Sequence, residues 1–148
     1  MASVLNMRRM HYALEKFTDF IRGSGSGAQS AYAAIYATGV IDSLCAFEEK
    51  LQAHGTPADD IEFYVGAALY AACQFQAYVT GNKSDIANQN VALVYRDFLE
   101  TKIEKLHLLE QDMDSSAADN AIGGTLSSGF ISQGLFKQQD QPHPRKDG

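Results

Sequence analysis

Residues 44–65 read Leu-Cys-Ala-Phe-Glu-Glu-Lys-Leu-Gln-Ala-His-Gly-Thr-Pro-Ala-Asp-Asp-Ile-Glu-Phe-Tyr-Val. In this stretch one helix ends, the chain turns and a second helix begins. Leu44, Phe47 and Leu51 recur at spacings of 3 and 4, the period of one face of an α-helix. Gly55 suits the left-handed residue that follows a last helical turn, where any Cβ would clash. Thr56, Pro57 and Asp59 fall where an N-cap, a first-turn proline and an early acid belong. So short a connection predicts that the two helices pack as antiparallel neighbours.

Upstream, the stripe continues back through Val40 and Ala37, giving a segment of about Ala28 to His54. Glu48, Glu49 and Lys50 mark its wet face, but Ser30 to Ile41 is apolar nearly all round, adding Tyr32, Ile35, Tyr36 and Ile41. Downstream, Ile61, Val65, Ala68, Ala72, Phe75 and Val79 form a stripe through a segment of about Pro57 to Thr80. Its other faces are apolar too, with Tyr64, Tyr70, Cys73 and Tyr78, and only Gln74 and Gln76 interrupt between Phe63 and Val79. Two outer segments have ordinary amphipathic patterns. The first, about Ser3 to Arg22, turns Met7, Met10, Leu14, Phe17 and Ile21 inward before the Gly23-Ser24-Gly25-Ser26-Gly27 turn. After Gly81 and Asn82, the last runs from a Ser84 cap to about Gln111. It is expected to bury Val91, Val94, Phe98, Ile103, Leu106 and Leu109, and to expose Arg96, Asp97, Glu100, Lys102, Glu104, Lys105 and Glu110.

Four such segments, without the bounded β-branched alternation of a strand, predict an all-α four-helix bundle of up-down-up-down topology over residues 1–111. Residues 112–148 are rich in Ser, Gly, Asp and Gln, the composition of a flexible, mostly disordered tail. Within it lies one apolar island at 130–136, where Phe130, Ile131, Leu135 and Phe136 have the layout of a docking peptide.

With 18 acidic and 12 basic residues among 148, the net charge is −6. That balance argues against nucleic acid or anionic lipid as partner. Glu62, two glutamines and the lack of a flanking basic cluster argue against membrane spanning by the third segment. Cys45 and Cys73 are in no C-x-x-C pair and are expected to be small buried residues in a reducing compartment. Asn6, Arg8, Arg9, His11 and Glu15 interrupt any secretory h-region, and the expected location is cytoplasmic. The basic, acid-free start has some features of a mitochondrial presequence, but the same residues read as a core helix.

Sites of chemistry are sparse. Glu104-Lys105-Leu106-His107 has the Glu-x-x-His spacing of carboxylate-bridged di-metal bundles. His11 and His54 have no glutamate three residues earlier, so a second half-site is missing and neither metal nor cofactor is expected. No G-x-S-x-G elbow and no Gly-Lys-Ser/Thr phosphate loop is present, and nothing distinctive supports phosphotransfer at His11. What remains is surplus apolar surface at Tyr32, Tyr36, Tyr64, Tyr70 and Tyr78, a residue type suited to interfaces. The expected function is a non-catalytic protein-binding bundle, an adaptor, chaperone-like or regulatory module pairing with itself or another protein. The alternative is a ligand- or metal-binding bundle, conceivably an enzyme, using Glu104 and His107.

Overall fold

The computed structural model describes residues 3–23 and 27–121, and among these all regular structure is helical. Helix α1 is Met7–Arg22 and α2 is Gly27–Ala53; α3 begins as α-helix at Ala58–Ile61, widens to a π-helical turn at Glu62–Gly66 and resumes as α-helix over Ala67–Val79; α4 is Gln89–Ala121. Each helix packs on its neighbours in sequence, and α4 closes the ring on α1. Cross-links between ends fix the directions. Ser30 at the start of α2 donates to the Val79 carbonyl at the end of α3 (2.7 Å), and Gln89 at the start of α4 donates to Ile21 O at the end of α1 (2.6 Å). At the opposite end Lys50 of α2 meets Asp114 of α4. The bundle is therefore up-down-up-down, with Phe17, Leu44, Phe47, Leu51, Val65, Phe75, Leu99, Ile103 and Leu106 at its centre.

Both tight helix ends are closed by glycine, as expected. At Gly55 (φ 93°), Gly55 N–H donates to Gln52 O and Thr56 N–H to Leu51 O; at Gly81 (φ 77°), Gly81 N–H donates to Tyr78 O and Asn82 N–H to Ala77 O. These are paired Schellman bonds, and the left-handed φ they require favours glycine. The start of α3 lies one residue later than expected. Thr56 is taken up in closing α2, and Pro57 is the extended cap whose carbonyl accepts from Asp60 and Ile61.

Other expectations are corrected. Helix α1 starts at Met7, with Asn6 capping Arg9 N–H (3.1 Å), and not near Ser3. Ser84 caps no helix; its hydroxyl donates to Gln74 O and accepts from Ile86 N–H, while Asn88 caps α4 through Val91 N–H. The connection between α3 and α4 is thus a nine-residue loop that buries Ile86, held by Gln74 through Asp85 N–H. Helix α4 runs past 111 to Ala121 and buries Met113 and Ser116, because the inward spacing continues through residues whose composition suggested a tail. Residues 122–148, including the island at 130–136, lie outside the described residues.

Glu110 is also not on the wet face. It is 1% exposed, and its carboxylate accepts from Ser3 Oγ (2.8 Å), Val4 N–H (2.7 Å), Leu5 N–H (3.1 Å) and Lys50 Nζ (2.8 Å). Lys50, expected to be wet, is half-buried, its side chain only 7% exposed beside the Glu110 carboxylate, and it also holds Asp114 at 2.9 Å. Burial pushes the Glu110 carboxyl up, but the bonds from Lys50, Val4, Ser3 and Leu5 together outweigh that and hold it below the ordinary 4.5.

Candidate interaction surface

The core of α4 is Ala92, Leu99, Ile103, Leu106, Leu109 and Met113. Val94 and Phe98, expected inward, are 65% and 42% exposed. They form a second apolar stripe, turned one residue away from the buried one. Facing them across the α3–α4 seam are Phe63 and Tyr70, 61% and 53% exposed. Together with Gly66, Ala67, Ala71 and Tyr95 these residues line a cleft of about 680 Å³. Small side chains form its floor and rings form its walls, a combination that suits an apolar ligand or helix.

The π-helical turn shapes one end of this cleft. In it, Tyr64 and Val65 point into the core while Phe63 faces out. Such wide turns insert one residue into an α-helix and frequently mark functional positions. The rim carries acids. Glu62 lines the cleft near the turn, and Asp85 accepts the Tyr70 phenol proton, which holds that phenol above its ordinary 10.0. Burial, and then the neighbouring charge of Glu62, push the Glu48 carboxyl above its ordinary 4.5.

A second groove, about 710 Å³, runs between α1 and α2, with Tyr12, Ile35, Tyr36 and Val40 on an apolar side and Arg8, Arg9, His11 and Glu15 on a charged one. Tyr12 and Tyr36 meet edge to face in it, centroids 5.1 Å apart, while Tyr12 and Ile35 are 44% and 63% exposed. Helix α2 thus carries unusual apolar surplus. The stretch Ala28–Ala53 is long and apolar enough, by length and composition, to cross a bilayer, and only 28% of its most apolar window is buried.

The five tyrosines expected to form one surface are divided. Tyr70 lines the α3–α4 cleft and Tyr36 the α1–α2 groove. Tyr32 is exposed on α2, Tyr64 is buried, and Tyr78 is half-buried against Phe20 and Phe75. Phe130, Ile131, Leu135 and Phe136 lie outside the described residues. The residues that sequence reasoning missed are Phe63, Val94 and Phe98, whereas Ile35 belongs to the apolar stretch of α2 expected from Ser30 to Ile41. For α4 the signal was present: Leu99, Ile103 and Leu106 keep unbroken spacings of 4 and 3, whereas the stripe through Val94 and Phe98 breaks before Ile103.

Glu104 and His107 do not form a site together. Glu104 instead faces His11 of α1, with Nε2 to Oε2 at 3.9 Å, and Glu100 joins them in a set of donor atoms within 4.8 Å of one another. Glu100 is already bound by Arg96 at 2.6 Å, and Arg96 Nε also donates to Thr18 of α1. These residues therefore tie α1 to α4 across a largely solvated seam, where ion pairs contribute little. His107 is half-buried, with Nδ1 buried and unbonded among the described residues.

The cysteines also differ from expectation. Cys45 is half-buried, but Cys73 is exposed, because the inward side of α3 is taken by Ala68, Ala71, Ala72 and Phe75. Burial, then the charges of Glu48 and Asp42, push the Cys45 thiol above its ordinary 9.0. Thiolate is the reactive form. Cys73 should therefore react with an aromatic disulfide reagent well before Cys45 at pH 8, followed by mass spectrometry of the early product; equal rates would contradict this burial.

Scans against protein-family models, curated proteins and solved structures find no match for the chain.

Proposed function

We propose that this protein is a non-catalytic interaction module, a small adaptor, chaperone-like or regulatory bundle, and that its partner is an amphipathic helix with basic flanks. The observation that supports this most is the α3–α4 cleft, where four large apolar side chains stand exposed on facing helices. A groove between two helices receives the apolar face of a third, with anchors spaced by three or four residues. The acidic rim adds a preference. Glu62 lines the cleft and Asp85 holds the Tyr70 phenol beside it, so a cation on the partner would find a complementary charge there.

The test uses a designed helical peptide with leucines on one face and lysines flanking them. Titration into the isotopically labelled protein should shift resonances of Phe63, Tyr70, Val94 and Phe98. The double variant Phe63→Ser/Phe98→Ser should weaken binding roughly a thousandfold if both rings are anchors worth about 2 kcal/mol each. Because both rings are exposed, each change should alter stability by only about 0.5 kcal/mol. Unaltered affinity in the double variant would sink the reading. Stoichiometric iron, manganese or zinc in the purified protein would favour the metal-binding alternative instead.

A further inference from the structure

The α1–α2 groove is a separate surface from the α3–α4 cleft, and its lining is divided between two chemistries. At about 710 Å³ it has the capacity of a small-molecule site. Ile35, Tyr36 and Val40 of α2 and Tyr12 of α1 supply an apolar wall, and Gly39 keeps it open, since a Cβ added there would meet nothing within 4 Å. Arg8, Arg9, His11 and Glu15 of α1 supply the charge.

These charges are ordered along the groove. The Glu110 carboxylate holds both Val4 N–H and Lys50 Nζ, so the chain before α1 lies beside the end of α2 and the two helices run antiparallel. Arg8 stands one turn before Tyr12, toward Asn6 and Ser43, and Glu15 stands one turn after it, toward Ile35. Tyr12 itself meets Tyr36 in mid-groove, with 5.1 Å between centroids. From Arg8 to Glu15 is seven residues, about 10 Å at the helical rise. One end is therefore cationic, the middle apolar and the far end acidic.

The cations at the near end lack a counter-charge. Among the described residues Arg8 and Arg9 have no ion-pair partner, whereas Arg96 is held by Glu100 and Asp97, and Lys50 by Glu110 and Asp114. The first turn of α1 also contains no acid, although that end of a helix disfavours positive charge. An anion seated there would offset both guanidiniums, whose paired donors match a carboxylate. Glu15 sets the opposite limit, because a second negative charge on the same ligand would meet it. The net charge of −6 repels anionic surfaces and polyanions, while a single small anion responds to the cations nearest to it. We propose that this groove binds one molecule of a single-headed amphiphilic acid, a medium-chain fatty acid, with its carboxylate at Arg8 and Arg9 and its chain along Tyr12, Tyr36 and Gly39.

Calorimetric titration of decanoate, kept below its micellar concentration, into the full-length protein should show saturable binding at a single site. Decanol, with the same chain and no charge, and decanedioate, with a carboxylate at each end, should bind roughly tenfold more weakly or worse, the scale of one lost charge-assisted bond. Arg8→Gln/Arg9→Gln should lose a similar factor for decanoate and little for decanol, which separates a missing headgroup contact from a damaged fold. Gly39→Leu, which fills the opening, should weaken both ligands, and circular dichroism should show the parent's helix content in each variant. In the isotopically labelled protein, decanoate should shift resonances of Tyr12, Tyr36 and Gly39. Decanol binding as tightly as decanoate, unaltered decanoate affinity in the arginine variant, or shifts centred on Phe63 and Phe98 would each overturn the proposal. So would association with phosphatidylglycerol vesicles without binding of decanoate, which would make the arginines contacts for a membrane surface.

Discussion

Glu110→Ala should lower the unfolding free energy by about 3 kcal/mol, measured by urea denaturation, because removing one member of a buried ion pair leaves Lys50 with only the part-exposed Asp114 and strips the Val4 and Leu5 amides of their acceptor. The pH dependence follows from the direction of the shift. Since the folded carboxyl is held below 4.5, its stabilisation is complete above about pH 4.5 and is lost as pH falls through the lower folded value. Lys50 shifts the other way. Burial lowers its ammonium, but the bonds to Glu110 and Asp114 outweigh this and hold it above 10.5, so its share is lost only as pH rises beyond that value. Glu110→Gln should flatten the acid limb. An acid limb identical to that of the parent would show that other carboxyls govern it.

Phe17→Ala should cost about 3–5 kcal/mol, the range for deleting a large buried ring and leaving a cavity. Phe17 is fully buried and stacks on Phe75 at 4.5 Å and 19°, so the loss joins α1 to α3 across the centre of the bundle. For a chain of this size that corresponds to a fall in melting temperature of roughly 10 °C or more. Tyr32→Ala, on an exposed ring of α2, is the control and should stay within about 0.5 kcal/mol. Similar melting temperatures for the two variants would contradict the packing described.

The helical class, the order of the four helices and the stripes of α1, α2 and α3 were legible because each is a local pattern, repeated over several turns and ended by glycine at 55 and 81. What escaped the sequence depends on which neighbour a residue meets. Glu110 sits among alternating charges and reads as wet, since nothing nearby in sequence reveals that Ser3, Val4, Leu5 and Lys50 converge on it. Val94 and Phe98 are apolar on a helix that has two adjacent apolar stripes, and only the packing of α3 selects the one through Leu99. The π-helical turn is invisible for a related reason: one extra residue leaves the spacing of Val65, Ala68 and Ala72 intact and alters only what precedes it. The tyrosines were recognised as surplus, but their division between two grooves depends on helix rotation, which periodicity does not fix.

The Glu110 carboxylate joins residues 105 to 107 positions apart in the chain. Closing so long a loop carries a high entropic cost. A bond that forms only after the folding barrier slows unfolding and leaves refolding unchanged, so in stopped-flow measurements Glu110→Ala is expected to hasten unfolding at an unaltered refolding rate, making this clasp a brake on escape from the native state; slowed refolding would place it in the transition state instead.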